Sequence, residues 1–198
     1  VSETWKVLAE NVLIKRWKGK MLEACKSGET KVVELLLERC NSEESGLNTK
    51  DTNGWTAFML ACYKGQKDVV QVLLDHSEII ELNARTNLGT TAFMYACQFG
   101  RKDVVKLLLD HSNEIDLNAR TDHDFGWTPF MGACMNGRKN VVKLLLEHPD
   151  KIELNARNDN GETALNFAYE QKDIYQLFLD DPNIQRQCLK TRHKMYHK

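Results

Sequence analysis

Apolar residues recur along the chain with helical spacing, in blocks that repeat. The clearest block is Lys67-Asp-Val-Val-Gln-Val-Leu-Leu-Asp75. It returns as Lys102-Asp-Val-Val-Lys-Leu-Leu-Leu-Asp110 and Lys139-Asn-Val-Val-Lys-Leu-Leu-Leu-Glu147. Its apolar positions form a broad stripe, which suits a helix buried between neighbours. A shorter stretch precedes each block: Ala57-Phe-Met-Leu-Ala-Cys62, Ala92-Phe-Met-Tyr-Ala-Cys97 and Pro129-Phe-Met-Gly-Ala-Cys134. Each predicts a first helix. Thr56, Thr91, Thr128 and Thr163 stand at its N-cap, where a hydroxyl satisfies a free backbone N–H. Pro129 takes the first helical position, where its missing N–H costs nothing. Gly65, Gly100 and Gly137 close these helices, since glycine adopts the left-handed conformation a C-cap needs. No long period-two alternation occurs, so strands are not expected beyond short hairpin-like turns.

The pattern is an internal repeat. Gly54, Gly89, Gly126 and Gly161 precede the caps at intervals of 35, 37 and 35 residues. An earlier copy, Met21 to Glu38, lacks the preceding Gly-x-Thr. The reading is five units of two helices and a turn, over residues 20–46, 47–81, 82–116, 117–153 and 154–184. Residues 1–19 are expected to form a helix or cap carrying Trp5, Leu8, Val12, Leu13 and Trp17, and residues 185–198 a basic tail.

These units resemble ankyrin repeats. Thr128-Pro129 matches the opening of that family's Thr-Pro-Leu-His signature. Asn83-Ala84, Asn118-Ala119 and Asn155-Ala156 match the Asn-Ala that opens its loop. The resemblance spans roughly residues 20–180. It implies an all-α repeat solenoid of stacked helix-turn-helix units with projecting loops. Departures from the family matter too. Met59, Met94, Met131 and Asn166 replace the signature His, so the units are expected to be tied more by packing than by that polar link. The repeat is longer than the family's period of about 33, and Ile80, Ile115 and Ile152 are expected to bury a contact in the added segment. The last unit lacks the glycine between its helices, as suits a capping unit.

Composition sharpens this picture in two places. Of 198 residues 42% are hydrophobic, yet no apolar run approaches the ~18 residues of a membrane span. The net charge is −1, and residues 185–198 hold five Lys or Arg and no acid, which leaves the first 184 residues at −6. Such a body disfavours bulk binding of nucleic acid. An alternative remains at the basic ends, Lys15–Lys20 and 185–198, as contacts for nucleic acid or an acidic lipid; another is a targeting domain of a larger protein.

Cys25, Cys62, Cys97 and Cys134 fall at one equivalent position, 37, 35 and 37 residues apart. Stacked helices stand roughly 8–10 Å apart, whereas a disulfide needs Cα atoms within about 7 Å. The four therefore read as buried, reduced, structural thiols, with Cys40 and Cys188 outside the ladder. That places the chain in a reducing compartment, intracellular and cytoplasmic, with the nucleus open to it. His76, His111 and His148 form a second ladder at helix ends, where a cation complements the helix dipole. No phosphate loop, nucleophile elbow or zinc motif occurs, so no enzyme, cofactor or metal is expected.

What remains is surface. The family resemblance implies a concave face of loop tips and exposed first-helix positions that binds another protein or peptide. Mapped onto this chain, it comprises Asn53, Trp55, Tyr63 and Lys64; Leu88, Thr90, Gln98 and Phe99; His123, Phe125, Trp127, Met135 and Asn136; and Glu162. Asp124, Asn160 and Glu170 lie at equivalent positions. These residues differ between units while the framework repeats. Aromatic residues and Met are enriched at interface hot spots. The competing reading has Trp55 and Trp127 lying flat against neighbouring loops. The protein is expected to be monomeric in isolation.

Overall fold

The computed structural model describes residues 19–39, 46–122 and 125–189. The expected helix at 1–19, Cys40, His123, Asp124 and the tail beyond residue 189 therefore lie almost wholly outside the described residues.

Two kinds of helix alternate, each for a reason written in its sequence. The first helices are short and rich in Ala: α3 (Ala57–Lys64), α5 (Ala92–Gln98), α7 (Pro129–Met135) and α9 (Ala164–Tyr169). Small residues let them pack on one another in a single row. Three N-cap threonines behave as expected: the Thr56, Thr91 and Thr128 hydroxyls accept the N–H of Met59, Met94 and Met131 at 3.3, 3.4 and 3.3 Å, whereas the Thr163 hydroxyl and N–H both donate to the Asn166 side-chain oxygen, at 2.9 and 2.8 Å. Such caps contribute about 1 kcal/mol each. The second helices are α2 (Thr30–Arg39), α4 (Lys67–Leu74), α6 (Lys102–Asp110), α8 (Lys139–Leu146) and α10 (Lys172–Asp180). They form the outer row, with Val69, Val70, Leu73 and Leu74 of α4 and Val104, Val105, Leu108 and Leu109 of α6 turned inward and buried. A helix at 19–27, α1, pairs in sequence with α2. One further helix, α11 (Pro182–Leu189), packs on α10 and runs across residue 185, the expected start of the tail. Among the described residues there is no strand; the fold is an all-α repeat solenoid.

Burial is continuous through the stack. Phe58, Phe93, Phe130 and Phe178 are among the largest buried side chains. Met59, Met94 and Met131, at the signature-His position, are buried as well. So are Ile80, Ile115 and Ile152 of the lengthened segment.

Polar links that the sequence reading did not find run both within units and between them. Asn48 donates to the Ile79 carbonyl at 2.8 Å and accepts the Glu81 N–H at 2.9 Å. Asn83 does the same to Glu114 and Asp116, and Asn118 to Lys151 and Glu153. Asn155 donates to the Gln187 carbonyl of α11 at 3.0 Å. The first three tie the start of a unit to its own end, and the last reaches on into α11. A second set reaches back to the end of the preceding first helix: Gln66 to the Lys26 carbonyl, Arg101 to Tyr63, Arg138 to Gln98 and Gln171 to Met135. They satisfy carbonyls that a helix end leaves open. The C-cap glycine serves this contact too. Gly65 has φ +80°, and a Cβ there would stand 2.9 Å from Arg101 Cδ.

Candidate functional site

The loops before each N-cap project beside the first helices. Together they present one face of the stack. In three of the loops a β-turn closes on the glycine: the Gly54 N–H bonds the Asp51 carbonyl at 3.0 Å, the Gly89 N–H bonds Thr86 at 2.9 Å and the Gly161 N–H bonds Asn158 at 2.9 Å. Successive loops are tied, with the Asn87 N–H donating to the Asn53 carbonyl at 3.1 Å and Asp159 to Phe125 at 2.8 Å. The loop residue just before each cap then lies over the first helix of the next unit.

That register produces a ladder of rings. Trp55 stacks on Tyr95 of the next unit, with centroids 4.0 Å apart and planes 20° from parallel. Trp127 lies over Phe167 of its next unit at 4.4 Å and 34°. Both indoles thus lie against helix residues, not loops. Tyr63 meets Trp55 edge-on at 5.4 Å and Phe99 at 4.6 Å, and Lys64 Nζ sits 4.8 Å from the Tyr63 ring centre. Trp55, Tyr63, Tyr95 and Phe99 form one aromatic block. Offset and edge-on pairs of this kind add about 0.5–1.5 kcal/mol each beyond burial.

The middle rung is missing. Between these two pairs the loop position holds Thr90, and the helix position that carries Leu60, Tyr95 and Phe167 in other units holds Gly132. A groove of about 350 Å³ opens there. It gathers six of the expected residues: Thr90, Gln98, Phe125, Trp127, Met135 and Asn136. Met94, Thr121, Thr128, Pro129 and Gly132 complete the lining, and no charged side chain takes part. Phe125 is 58% exposed and Met135 52%, which is unusual for residues of that size on a framework otherwise so well buried. Phe125 also has φ +60°, a conformation that bulky residues seldom adopt and that costs roughly 1–2 kcal/mol. Other recesses, of about 580, 460 and 570 Å³, lie at equivalent crevices beside the asparagine links. They belong to the repeat. The groove at Gly132 lies instead on the loop face, where the rung is absent.

The remaining expected residues are placed apart from it. Leu88 is exposed at a loop tip, and Asn53 is exposed with its N–H on the Asp51 carboxylate. Glu162 accepts from the Asn158 amide at 2.9 Å within its own loop. Sequence reasoning missed Met94, Tyr95, Gly132 and Phe167. A glycine inside a helical pattern was the available signal for the groove.

The other chemistry-bearing groups serve the framework. Burial pushes the Cys25 thiol up to about 12, and raises Cys62, Cys97 and Cys134 well above the usual thiol range. Cys188 was expected outside the ladder, but it is buried, and its thiol, raised to about 11 by burial, lies near enough to raise Cys134 further. The reason is local: the fifth unit carries Tyr169 at the cysteine position, and α11 brings its own cysteine to the end of the row. His76 and His111 Nδ1 lie 3.0 and 2.9 Å from the Val72 and Leu107 carbonyls at the ends of α4 and α6. Among the described residues no three His, Cys, Asp or Glu converge as metal ligands, and no helix is long and apolar enough to cross a membrane.

Comparison with known families agrees with this architecture. The model described as "Ankyrin repeats (3 copies)" matches residues 21–121 and 113–188. No curated protein matches the chain. Ankyrin repeats are generally protein–protein interaction modules, and by this match across most of its length the chain belongs to the ankyrin-repeat family.

Proposed function

We propose that the chain is a non-catalytic module that binds another protein or peptide on the face formed by its loops and first helices. One observation carries this reading. The groove at Gly132 departs from the repeat, has no charged lining, and is rimmed by the exposed Phe125 and Met135. A framework that repeats, broken at one apolar place, is the arrangement expected of an adapted contact surface. The Asn, Gln and Arg links and the thiol row serve stacking and leave this face to recognition.

Phe125 and Met135 are the residues to test, because their side chains contribute little to the core. Trp55 and Trp127 are half-buried rungs, and removing them would also loosen the stack. A displayed library of random peptides, selected on the folded domain, should yield binders that lose at least about tenfold in affinity with Phe125→Ala or Met135→Ala, a loss of about 1.4 kcal/mol. The circular-dichroism spectrum should be unchanged. Binders indifferent to both substitutions would refute the reading.

A further inference from the structure

The groove at Gly132 has a shape defined by the two junctions around it. At each of those junctions a ring from a loop covers a ring on the next unit's first helix: Trp55 on Tyr95, and Trp127 on Phe167. At the junction between them neither partner is present. Gly132 leaves the helix position open, and a Cβ there would have Gln98 Cβ, at 3.8 Å, as its nearest neighbour. The helix itself needs no glycine at this point, since Gly132 lies inside α7 and has no positive φ. The open space is therefore a property of the side chain that is missing, not of a backbone that demands glycine.

We infer that this gap is a slot for one aromatic side chain of an uncharged partner segment, which completes the ladder of rings from outside. The inference rests on the protein-binding reading above and names what that site recognises. Three features select the occupant. The neighbouring rungs show that this register of loop and helix holds a planar ring. The lining offers Met94, Met135 and the Trp127 indole, which suit an aromatic partner through sulfur and ring contacts, and it contains no ionisable group to pair with a charge. The volume of about 350 Å³ lies at the small end of ligand pockets, roughly 300–1,000 Å³, which fits one large side chain and not a folded element. Phe125, at the rim, covers the occupant from the loop side.

The probe is N-acetyl-L-tryptophanamide, titrated into the ¹⁵N-labelled protein and followed by NMR, with N-acetyl-L-leucinamide and N-acetyl-L-lysinamide as comparators. The tryptophan amide should give saturable shifts at the Gly132 and Thr90 amides and the Trp127 indole N–H. The dissociation constant should be on the order of millimolar, as for one small contact. The leucine amide should bind at least about fivefold more weakly, and the lysine amide should not saturate. Gly132→Leu and Gly132→Tyr place in the slot the residues that Leu60 and Tyr95 represent in other units, and both should abolish the shifts while the helical spectrum persists. Intermolecular NOEs from the indole to Gly132 and Trp127 in the wild-type protein give the same answer without a variant. No saturable shift, equal binding of the leucine amide, or unchanged binding by both variants would overturn the slot. Selected peptides that require Phe125 and Met135, yet carry no aromatic residue and ignore Gly132→Leu, would overturn the slot and leave the binding face standing. Saturation by the tryptophan amide without any peptide binder would overturn the binding face and leave the slot.

Discussion

The junction of the second unit with the third, and that of the third with the fourth, share a framework and differ in what covers it. Both have a backward link of 2.8 or 2.9 Å, from Arg101 to Tyr63 and from Arg138 to Gln98. Both follow a unit whose start and end are tied by an asparagine, Asn48 in the second unit and Asn83 in the third. One then fills its face with Trp55, Tyr63, Tyr95 and Phe99; the other leaves Thr90 opposite Gly132 and opens a groove. The stack thus keeps its helix pairing whether or not the rung is present. Filling that position adds stability, and vacating it exposes a surface, so the two junctions separate two uses of one site.

The largest expected effect strikes both junctions equally, and so supplies the baseline for comparing them. Thiols of the unfolded chain titrate near 9, whereas burial holds Cys25 up to about 12 and Cys188 to about 11. The folded state therefore keeps protons that the unfolded state releases. Stability is full below about pH 9 and falls as pH rises from there through 11 and 12. Each buried thiol contributes about 1.4 kcal/mol per pH unit across that window. Unfolding free energies from urea titrations at pH 7.5 and 10 should differ by several kcal/mol, and a flat profile would contradict a buried thiol row.

A change confined to the filled junction should come next. Tyr95→Ala removes a buried ring with three aromatic neighbours and should cost about 3–4 kcal/mol in urea unfolding. A loss under about 1 kcal/mol would mean that the aromatic block is cosmetic. At the open junction the sign reverses. Gly132→Ala should stabilise by about 1 kcal/mol, because it removes a helix-interior glycine and meets no atom closer than 3.8 Å. A destabilised Gly132→Ala would show that the space is not free. The smallest effect belongs to the rim. Phe125→Gly relieves the left-handed strain of roughly 1–2 kcal/mol but frees the unfolded chain by about 0.4–1 kcal/mol. A net gain of about 0.5 kcal/mol should accompany loss of peptide binding.

The repeat and its helices were legible because their signals are local. Threonine caps, C-cap glycines and the Val-Val-x-Leu-Leu-Leu block each act within one turn of helix, so a single sequence displays them. The side-chain links to distant backbone, within units and between them, were not legible. Asn48 and Arg101 reach across 31 and 38 residues to backbone atoms, and a backbone acceptor leaves no mark in the sequence. The same limit hid Cys188, whose place depends on how α11 turns back. In the candidate face, Phe125, Trp127, Met135 and Asn136 could be named from their variation between units. Gly132 varies as well, against Leu60, Tyr95 and Phe167, but it was passed over because what it contributes is a missing side chain.

The interunit links carry one more consequence. Each is encoded by a side chain of one unit and received by the main chain of the unit before it: Gln66 by Lys26, Arg101 by Tyr63, Arg138 by Gln98 and Gln171 by Met135. A receiver made of peptide groups is the same in every unit. Copying, deleting or reordering a whole unit therefore needs no matched change next door. The array can lengthen or shorten by gene duplication and loss while each remaining loop keeps its own freedom to diverge.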